Sequence, residues 1–255
     1  MFDLAEQLGL EVRFLVGNSF GGMFAKATNV VLVPSLRPPG RQAFTAAHEL
    51  GHWYFGHGDR LDHLPELDPD APTTPEERLA NLFAAYLLMP PWSVARLLAR
   101  RGWIPSSATP LQLFTISAEL GVGYETLIRH LCWSLDQISP SKARELIKVS
   151  PKAIRSQIAG EIETKHLVVV DSQWAAGNID LQVGHAALLP KSIVLEGSHV
   201  AVIADLPAGT LVQGRKPGIT RSFLEGVAWA KFIRVSRADF EGRSIYRHME
   251  DPDVD

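Results

Sequence analysis

The chain has 255 residues, of which 46% are hydrophobic, and a formal net charge of −3. This length allows one large or two smaller domains, and the charge excludes a protein-wide basic surface for nucleic acid. The single cysteine, Cys132, excludes a disulfide framework and is most simply a small buried side chain. The sequence contains neither a secretory signal pattern nor eighteen consecutive apolar residues, so we expect a cytoplasmic protein without a membrane span.

The first forty residues predict a small sheet. A short helix over residues 2–9 precedes strands over residues 11–15, 21–26 and 29–34. An exposed sheet edge can bind an extended peptide as an added strand. Residues 30–33 are our candidate for such an edge, and an internal core strand is the alternative.

The next segment is a predicted helix, opened by Arg41, that contains the motif H-E-x-x-H from His48 to His52. On a helix these two histidines lie on the same face, so both can donate a nitrogen to one metal ion. Glu49 lies beside them, where it can accept a proton from an attacking water molecule. The motif also occurs by chance on solvated helices, but here its flanks are apolar, and buried imidazoles need partners. The pattern therefore predicts a zinc hydrolase.

Residues 56–74 are rich in glycine, aspartate, histidine and proline, which predicts a loop over the site. Within it, His57 is a candidate ligand or transition-state donor, as is His63, although solvated loop histidines are the commoner case. Tyr54 and Tyr86 are alternative transition-state donors, and each fits an aromatic core position equally well.

A second helix is predicted from the signal at residues 73–76 to the prolines at 90–91. Catalytic zinc usually has three protein ligands, and Glu77 is the candidate for the third. Alternatively, Glu76 and Glu77 are simply charges favoured at a helix N-terminus. We prefer Glu77 as ligand because Asn81 follows it by four residues, where an amide can hydrogen-bond a liganding histidine or carboxylate.

Residues 44–52 and 77–90 together resemble the ImmA/IrrE family of metallo-endopeptidases. The second segment follows that family's pattern E-x-x-A-N-x-F-A-x-x-L-L-M-P almost completely. The resemblance implies a minimal zincin-like peptidase domain that cleaves an Xre-type helix-turn-helix repressor in a stress, mobile-element or toxin–antitoxin-like response. The implied site holds one zinc ion per chain and consists, in this sequence, of His48, Glu49, His52 and Glu77.

The region after Pro91 is predicted to be helical. Residues 109–120 and 124–131, separated by a glycine turn, resemble a helix-turn-helix pair. Its second helix offers only Arg129 and His130 for reading DNA, so packing or substrate docking is favoured over direct nucleic-acid binding. The preceding predicted helix, residues 92–101, is expected to expose Arg96, Arg100 and Arg101.

Two short helices are predicted over residues 141–149 and 151–160, and the predicted secondary structure then changes from helices to strands. Residues 164–255 contain six short runs rich in β-branched residues, which predicts a mostly β domain, and end in an acidic tail expected to be disordered from residue 249. His166, His185 and His199 are expected to be ordinary strand and loop residues.

The sequence as a whole predicts an α+β fold in three parts: a peptidase domain (1–90), a helical segment (91–163) and a mostly β domain (164–255). The mostly β domain could sense a ligand, dock substrate or cover part of the structure. The sequence does not discriminate between these roles. The alternative to an enzyme is a non-enzymatic regulator with a vestigial metal site. Metal content discriminates between them, because a purely structural zinc would usually have four protein ligands and would not need Glu49.

Overall fold

The structure, a computed structural model, is α+β, as the sequence predicts. It describes residues 1–17, 21–58, 60–61 and 74–250, with only the backbone of residues 60 and 61. The chain divides into two compact units: Met1–Pro91 with Asp239–Arg247, and Trp92–Ala238 with His248–Asp255. The first unit thus includes a short segment from far along the chain, and the division of the second at residue 163 stays a prediction.

The first unit is built on a five-stranded sheet with two long helices. Its elements are α1 (Phe2–Gln7), β1 (Glu11–Leu15), β2 (Met23–Ala25), β3 (Val30–Pro34), α2 (Pro39–Tyr54), β4 (Arg60–Leu61), α3 (Pro75–Leu88) and β13 (Gly242–Arg243). The sheet order is β13-β1-β3-β2-β4, and only β1 and β3 are parallel. Its core combines alternate strand residues with the apolar side of α2: Val12, Phe14, Phe24, Val31, Val33, Ala46 and Leu50.

The prediction of a free edge at residues 30–33 is wrong. Strand β3 lies inside the sheet, with β1 on one side and β2 on the other. Val31 and Val33 are fully buried. They lie on the side of the strand that packs in the same core as Ala46 and Leu50 of α2. Within the described residues, the edges of this sheet are β4 and β13.

Both long helices begin at a proline in the first turn, where its missing N–H costs nothing. Helix α2 begins at Pro39, two residues before the predicted start. Helix α3 begins at Pro75, and the Thr74 hydroxyl accepts a hydrogen bond from the Glu77 N–H at 3.3 Å. It ends at Leu88, before Pro90, as predicted.

The second unit opens with helices α4 (Pro91–Arg100), α5 (Pro110–Leu120), α6 (Tyr124–Arg129), α7 (Pro140–Ile147) and α8 (Pro151–Ala159). The predicted helix-turn-helix pair is present as α5 and α6: Thr109 and Gln112 cap α5 reciprocally, and Gly121 ends it in the left-handed conformation. His130 is buried, whereas the Arg129 side chain is 58% exposed and donates to Glu125 at 2.9 Å. Cys132 is also buried.

Arg101 corrects another prediction, because its side chain is only 2% exposed. It donates to both carboxylate oxygens of Asp171 at 2.7 Å and to Glu119 at 2.6 Å. The prediction of a solvated arginine failed because a buried guanidinium is tolerated once carboxylates satisfy its donors.

The rest of the second unit contains two four-stranded sheets. The strands are β5 (Leu167–Val169), β6 (Asn178–Gln182), β7 (Ala186–Leu189), β8 (Ile193–Glu196), β9 (Val200–Leu206), β10 (Gly209–Gly214), β11 (Gly218–Leu224) and β12 (Ala230–Ser236). The sheet orders are β5-β7-β10-β9 and β6-β12-β11-β8. Their buried side chains share one apolar core that includes Trp174 and Trp229. The sequence predictions omitted β7 and β11; of the predicted tail, residues 251–255 lie outside the described residues.

Among the described residues, one helical stretch, Pro75–Arg100, is long and apolar enough to cross a membrane by length and composition alone. Ala80 and Ala84 in this stretch are buried, whereas Leu79, Leu82 and Tyr86 are at least 39% exposed. A single helix of this kind is weak evidence of a membrane span.

Candidate metal centre

Two helices bring the predicted ligands together. Helix α2 supplies His48 and His52, which are buried, and α3 supplies Glu77, whose side chain is 26% exposed. The helices approach closely because Gly51 has no side chain: a Cβ there would lie 3.1 Å from Ala80 Cα and 3.2 Å from Phe83 Cδ1. The glycine of one motif and the alanine of the other thus form the contact that places Glu77 opposite the two histidines.

The donor atoms of these three side chains face one another. The two Nε2 atoms are 2.9 Å apart, Glu77 Oε2 lies 3.2 Å from His48 Nε2, and Glu77 Oε1 lies 3.4 Å from His52 Nε2. Two ligands of a tetrahedral zinc ion, each at roughly 2.0–2.1 Å, are about 3.3 Å apart. The three donors therefore fit one zinc ion, and among the described residues they form the one group of this kind.

Each imidazole is oriented by a partner at its other nitrogen. His48 Nδ1 lies 3.1 Å from Asn81 Oδ1, an acceptor, so a proton on this nitrogen would be hydrogen-bonded and would leave the Nε2 lone pair for a metal ion. His52 Nδ1 lies 2.8 Å from His57 Nδ1. A proton on the His52 side of that contact likewise leaves Nε2 as a lone pair. With both Nδ1 atoms protonated, the two Nε2 atoms are in the neutral form in which imidazole binds a metal ion.

The charge of Glu77 suits the same role. The contacts with His48 and His52 hold the pKa of Glu77 well below its ordinary value and outweigh the opposing effect of burial. Glu77 is therefore a carboxylate at neutral pH, which is the form that binds metal.

Glu49 follows His48 on α2 and is 1% exposed. A Cβ at Gly22, just before β2, would overlap both Glu49 Oε1 and Thr45 Cγ2. The Thr45 hydroxyl donates to Gly21 O at 3.3 Å. The sequence predictions did not assign Gly22 or Thr45 to the site, since nothing local to either residue indicates that they meet.

Two predicted transition-state donors face away from the ligands. Tyr54 follows His52 by two positions, which is the opposite side of α2, and its ring stacks on Phe83 at 5.5 Å. Tyr86 follows Glu77 by nine positions, which turns it to the far side of α3 and about 13 Å along its axis. The geometry therefore argues against both tyrosines. Of the predicted loop, residues 59 and 62–73, including His63, lie outside the described residues.

The part of the chain that contains the candidate metal site is similar in sequence to known proteins. Residues 5–131 match the family model described as the IrrE N-terminal-like domain. The radiation response metalloprotease IrrE of Deinococcus radiodurans is 34% identical over 96 residues, which is 37% of this chain and 29% of that protein. The protein of the same name from Deinococcus deserti is 35% identical over 96 residues, or 37% of this chain and 34% of the relative.

These matches cover about a third of each relative's length, and they agree with the resemblance carried by the H-E-x-x-H segment and the Glu77 segment. Within this chain, the family match includes the whole pair of metal-site helices and continues through the helix-turn-helix pair. The chain therefore belongs to the ImmA/IrrE family of metallopeptidases, through an IrrE N-terminal-like domain in residues 5–131.

Proposed function

We propose that this protein is a zinc-dependent endopeptidase. The observation that carries the proposal is the convergence of three donor atoms from two helices, with the buried carboxylate Glu49 beside them. Three protein donors leave a tetrahedral zinc one position for water or substrate, which is the pattern of catalytic rather than structural zinc.

His48, His52 and Glu77 would hold the zinc, with one ion per chain. Bound in this way, zinc supplies a Lewis acid that polarises a carbonyl group and lowers the pKa of water. Asn81 and His57 keep the Nε2 atoms of the histidines pointed at the site, since each occupies the opposite ring nitrogen.

Glu49 is the general base and then the general acid. Its carboxylate accepts the proton of the attacking water and passes that proton to the nitrogen of the leaving amine. This places one carboxylate, Glu77, in metal binding and another, Glu49, in proton transfer, although both are buried to different degrees in the same site.

The proposed substrate is a protein, specifically a helix-turn-helix repressor of the Xre type, cleaved in the cytoplasm during a stress, mobile-element or toxin–antitoxin-like response. Support for a protein substrate comes from the metalloprotease names of the relatives, and the repressor class comes from the family resemblance alone. Of the two candidate DNA-reading side chains on α6, His130 is buried and only Arg129 is exposed, which favours docking or packing over DNA reading for α5 and α6.

The test is incubation of the zinc-loaded protein with the Xre-type repressor encoded nearest to it, followed by mass spectrometry of the products. We expect the wild-type protein to cut the repressor at a defined bond. Glu49→Gln should bind one zinc ion and cut nothing, Glu77→Gln should lose zinc and activity, and Glu76→Gln should resemble wild type. Cleavage by zinc-bearing Glu49→Gln would overturn the assignment of the base.

A further inference from the structure

The chain just before β2 lies directly against the proposed base. Gly22 is buried, and a Cβ built on it would lie 3.3 Å from Glu49 Cδ and would overlap Glu49 Oε1. The φ angle of Gly22 is not in the left-handed region, so its backbone conformation suits any residue. Space beside the carboxylate, rather than backbone freedom, is what requires glycine at this position.

A second contact holds this glycine in place. Thr45 precedes Glu49 by one helical turn on α2, so both side chains emerge on the same side of the helix. The Thr45 hydroxyl donates to Gly21 O at 3.3 Å, and its Cγ2 lies beside Gly22, where an added Cβ would overlap it. Helix α2 therefore holds the Gly21–Gly22 backbone with Thr45 and presents Glu49 to it four residues later.

We propose that Gly22 and Thr45 are positioning residues, whose contacts form a slot that fixes the direction of the Glu49 carboxylate. The inference rests on the proposed function of Glu49. The atom of a general base must lie about 2.6–3.2 Å from the heavy atom whose proton it takes, and a misplacement of about 1 Å can cost roughly 100-fold in rate. The slot is just large enough for the Glu49 carboxylate. It therefore keeps the carboxylate in the position that proton transfer requires.

The kinetic test is Gly22→Ala. The added methyl group must displace the Glu49 carboxylate or Thr45, so kcat for the cleaved repressor should fall roughly 10–100-fold. KM and the zinc content should stay at wild-type values, because the three atoms nearest the new methyl group belong to Glu49 and Thr45 and not to the proposed ligands. Gly177→Ala is the matched control, since a Cβ at this exposed glycine of the second unit meets no atom within 4 Å among the described residues, and it should leave kcat unchanged.

Two variants of Thr45 separate the contacts. Thr45→Ser removes Cγ2 and keeps the hydroxyl, so Gly22→Ala combined with Thr45→Ser retains only the overlap with Glu49 and should still lower kcat. Thr45→Val replaces the hydroxyl with a methyl group of similar size and leaves Gly22 unchanged. It should lower kcat because it removes the hydrogen bond to Gly21 O. It therefore tests the proposal even if Gly22→Ala fails to fold. A wild-type kcat in both Gly22→Ala and Thr45→Val would overturn the proposal.

A readout independent of activity is the midpoint of thermal unfolding of the metal-free protein. Gly22→Ala should lower the midpoint in the wild-type background and lower it less in a Glu49→Ala background, where the carboxylate is gone. An equal decrease of the midpoint in both backgrounds would show that the methyl group does not contact Glu49 and would contradict the proposal. If the wild-type protein cleaves nothing but the two losses differ, the slot exists and the proposed peptidase function is the part that fails.

Discussion

At the scale of single residues, the metal site depends on how its imidazoles are held. The distances of 3.1 Å from His48 Nδ1 to Asn81 and of 2.8 Å from His52 Nδ1 to His57 leave each Nε2 directed at the partner ligands. Such contacts fix the tautomer and the ring orientation, and so raise metal affinity without touching the metal.

We therefore expect Asn81→Ala and His57→Ala each to weaken zinc binding roughly 10–100-fold. The measurement is competition for zinc with a chelator of known affinity. Leu82→Ala, a change at a half-exposed neighbour on α3, is the control and should bind zinc like wild type. Wild-type affinity in both histidine-partner variants would show that these contacts do not orient the ligands.

His166 provides a prediction of acid sensitivity in the second unit. Burial, followed by the nearby His185 and Arg155, lowers the pKa of His166 from 6.5 to about 4. Between these values the unfolded chain binds a proton that the folded chain does not, so stability is complete above pH 6.5 and falls as pH drops toward 4. Chemical denaturation of the metal-free protein should show a smaller loss over this range in His166→Gln. An equal loss in the two proteins would contradict the prediction.

Residues close in sequence were predictable, and residues that meet only in the fold were not. The ligands His48 and His52 and the partner Asn81 follow from spacing on a helix. Gly22 meets Glu49 across 27 positions of chain, and no local pattern shows that contact. His57 was noted as a candidate near the site, but its contact with His52 depends on how the chain turns after α2.

At the scale of elements, the close approach of α2 and α3 makes the site. Gly51 and Ala80 are the small residues that allow it, and a Cβ at Gly51 would sit 3.1 Å from the Ala80 backbone. Such an overlap forces either the helices apart or a strained packing.

We expect Gly51→Ala to destabilise the first unit by about 1–3 kcal/mol and to weaken zinc binding, because Glu77 on α3 moves away from the histidines on α2. Thermal unfolding and zinc titration measure the two effects. Gly177→Ala, which adds a methyl group that meets no described atom within 4 Å, should change neither. Unchanged zinc affinity in a destabilised Gly51→Ala protein would show that helix separation does not control the ligand geometry.

The buried Arg101 is the corresponding element-scale contact of the second unit. It joins the end of α4 to Glu119 on α5 and to Asp171 after β5. We expect Arg101→Ala to lower stability by about 3–5 kcal/mol, because it leaves the 2%-exposed Glu119 as an uncompensated buried charge. Arg100→Ala, at an exposed neighbouring position, is the control in denaturant unfolding. Similar losses in both variants would contradict a specific role for Arg101.

Most helices could be predicted because caps and prolines mark their ends. The strands were less predictable: β7 has the sequence Ala-Ala-Leu-Leu, without the β-branched residues typical of strands, and it forms because it pairs with β5 and β10. Arg101 was misjudged for a similar reason, since its partners lie 18 and 70 positions away.

At the scale of the whole molecule, residues 239–247 complete the first unit. Strand β13 pairs with β1, and Phe240 packs edge-on against Phe14 at 6.1 Å. Ser244 is fully buried and donates to Glu6 at 3.3 Å. The sequence could not predict this return, because two residues of strand carry no periodic pattern.

We expect a chain truncated after Ala238 to have a less stable first unit than the full chain. The midpoint of thermal unfolding of the zinc-loaded protein should be lower, and residues 1–91 should be proteolysed faster. A chain truncated after Glu250 keeps the whole segment 239–247 and serves as the control. If both truncated chains were as stable as the full protein, residues 239–247 would not contribute to the stability of the first unit.

The most direct test of the central claim is the zinc content of purified variants at neutral pH in zinc-containing buffer. One zinc ion per chain is predicted for wild type and for Glu49→Gln, because Glu49 is a base and not a ligand. His48→Ala, His52→Ala and Glu77→Ala should each lose the ion. A wild-type protein without zinc, or a Glu77→Ala protein that keeps it with wild-type affinity, would contradict the proposed site.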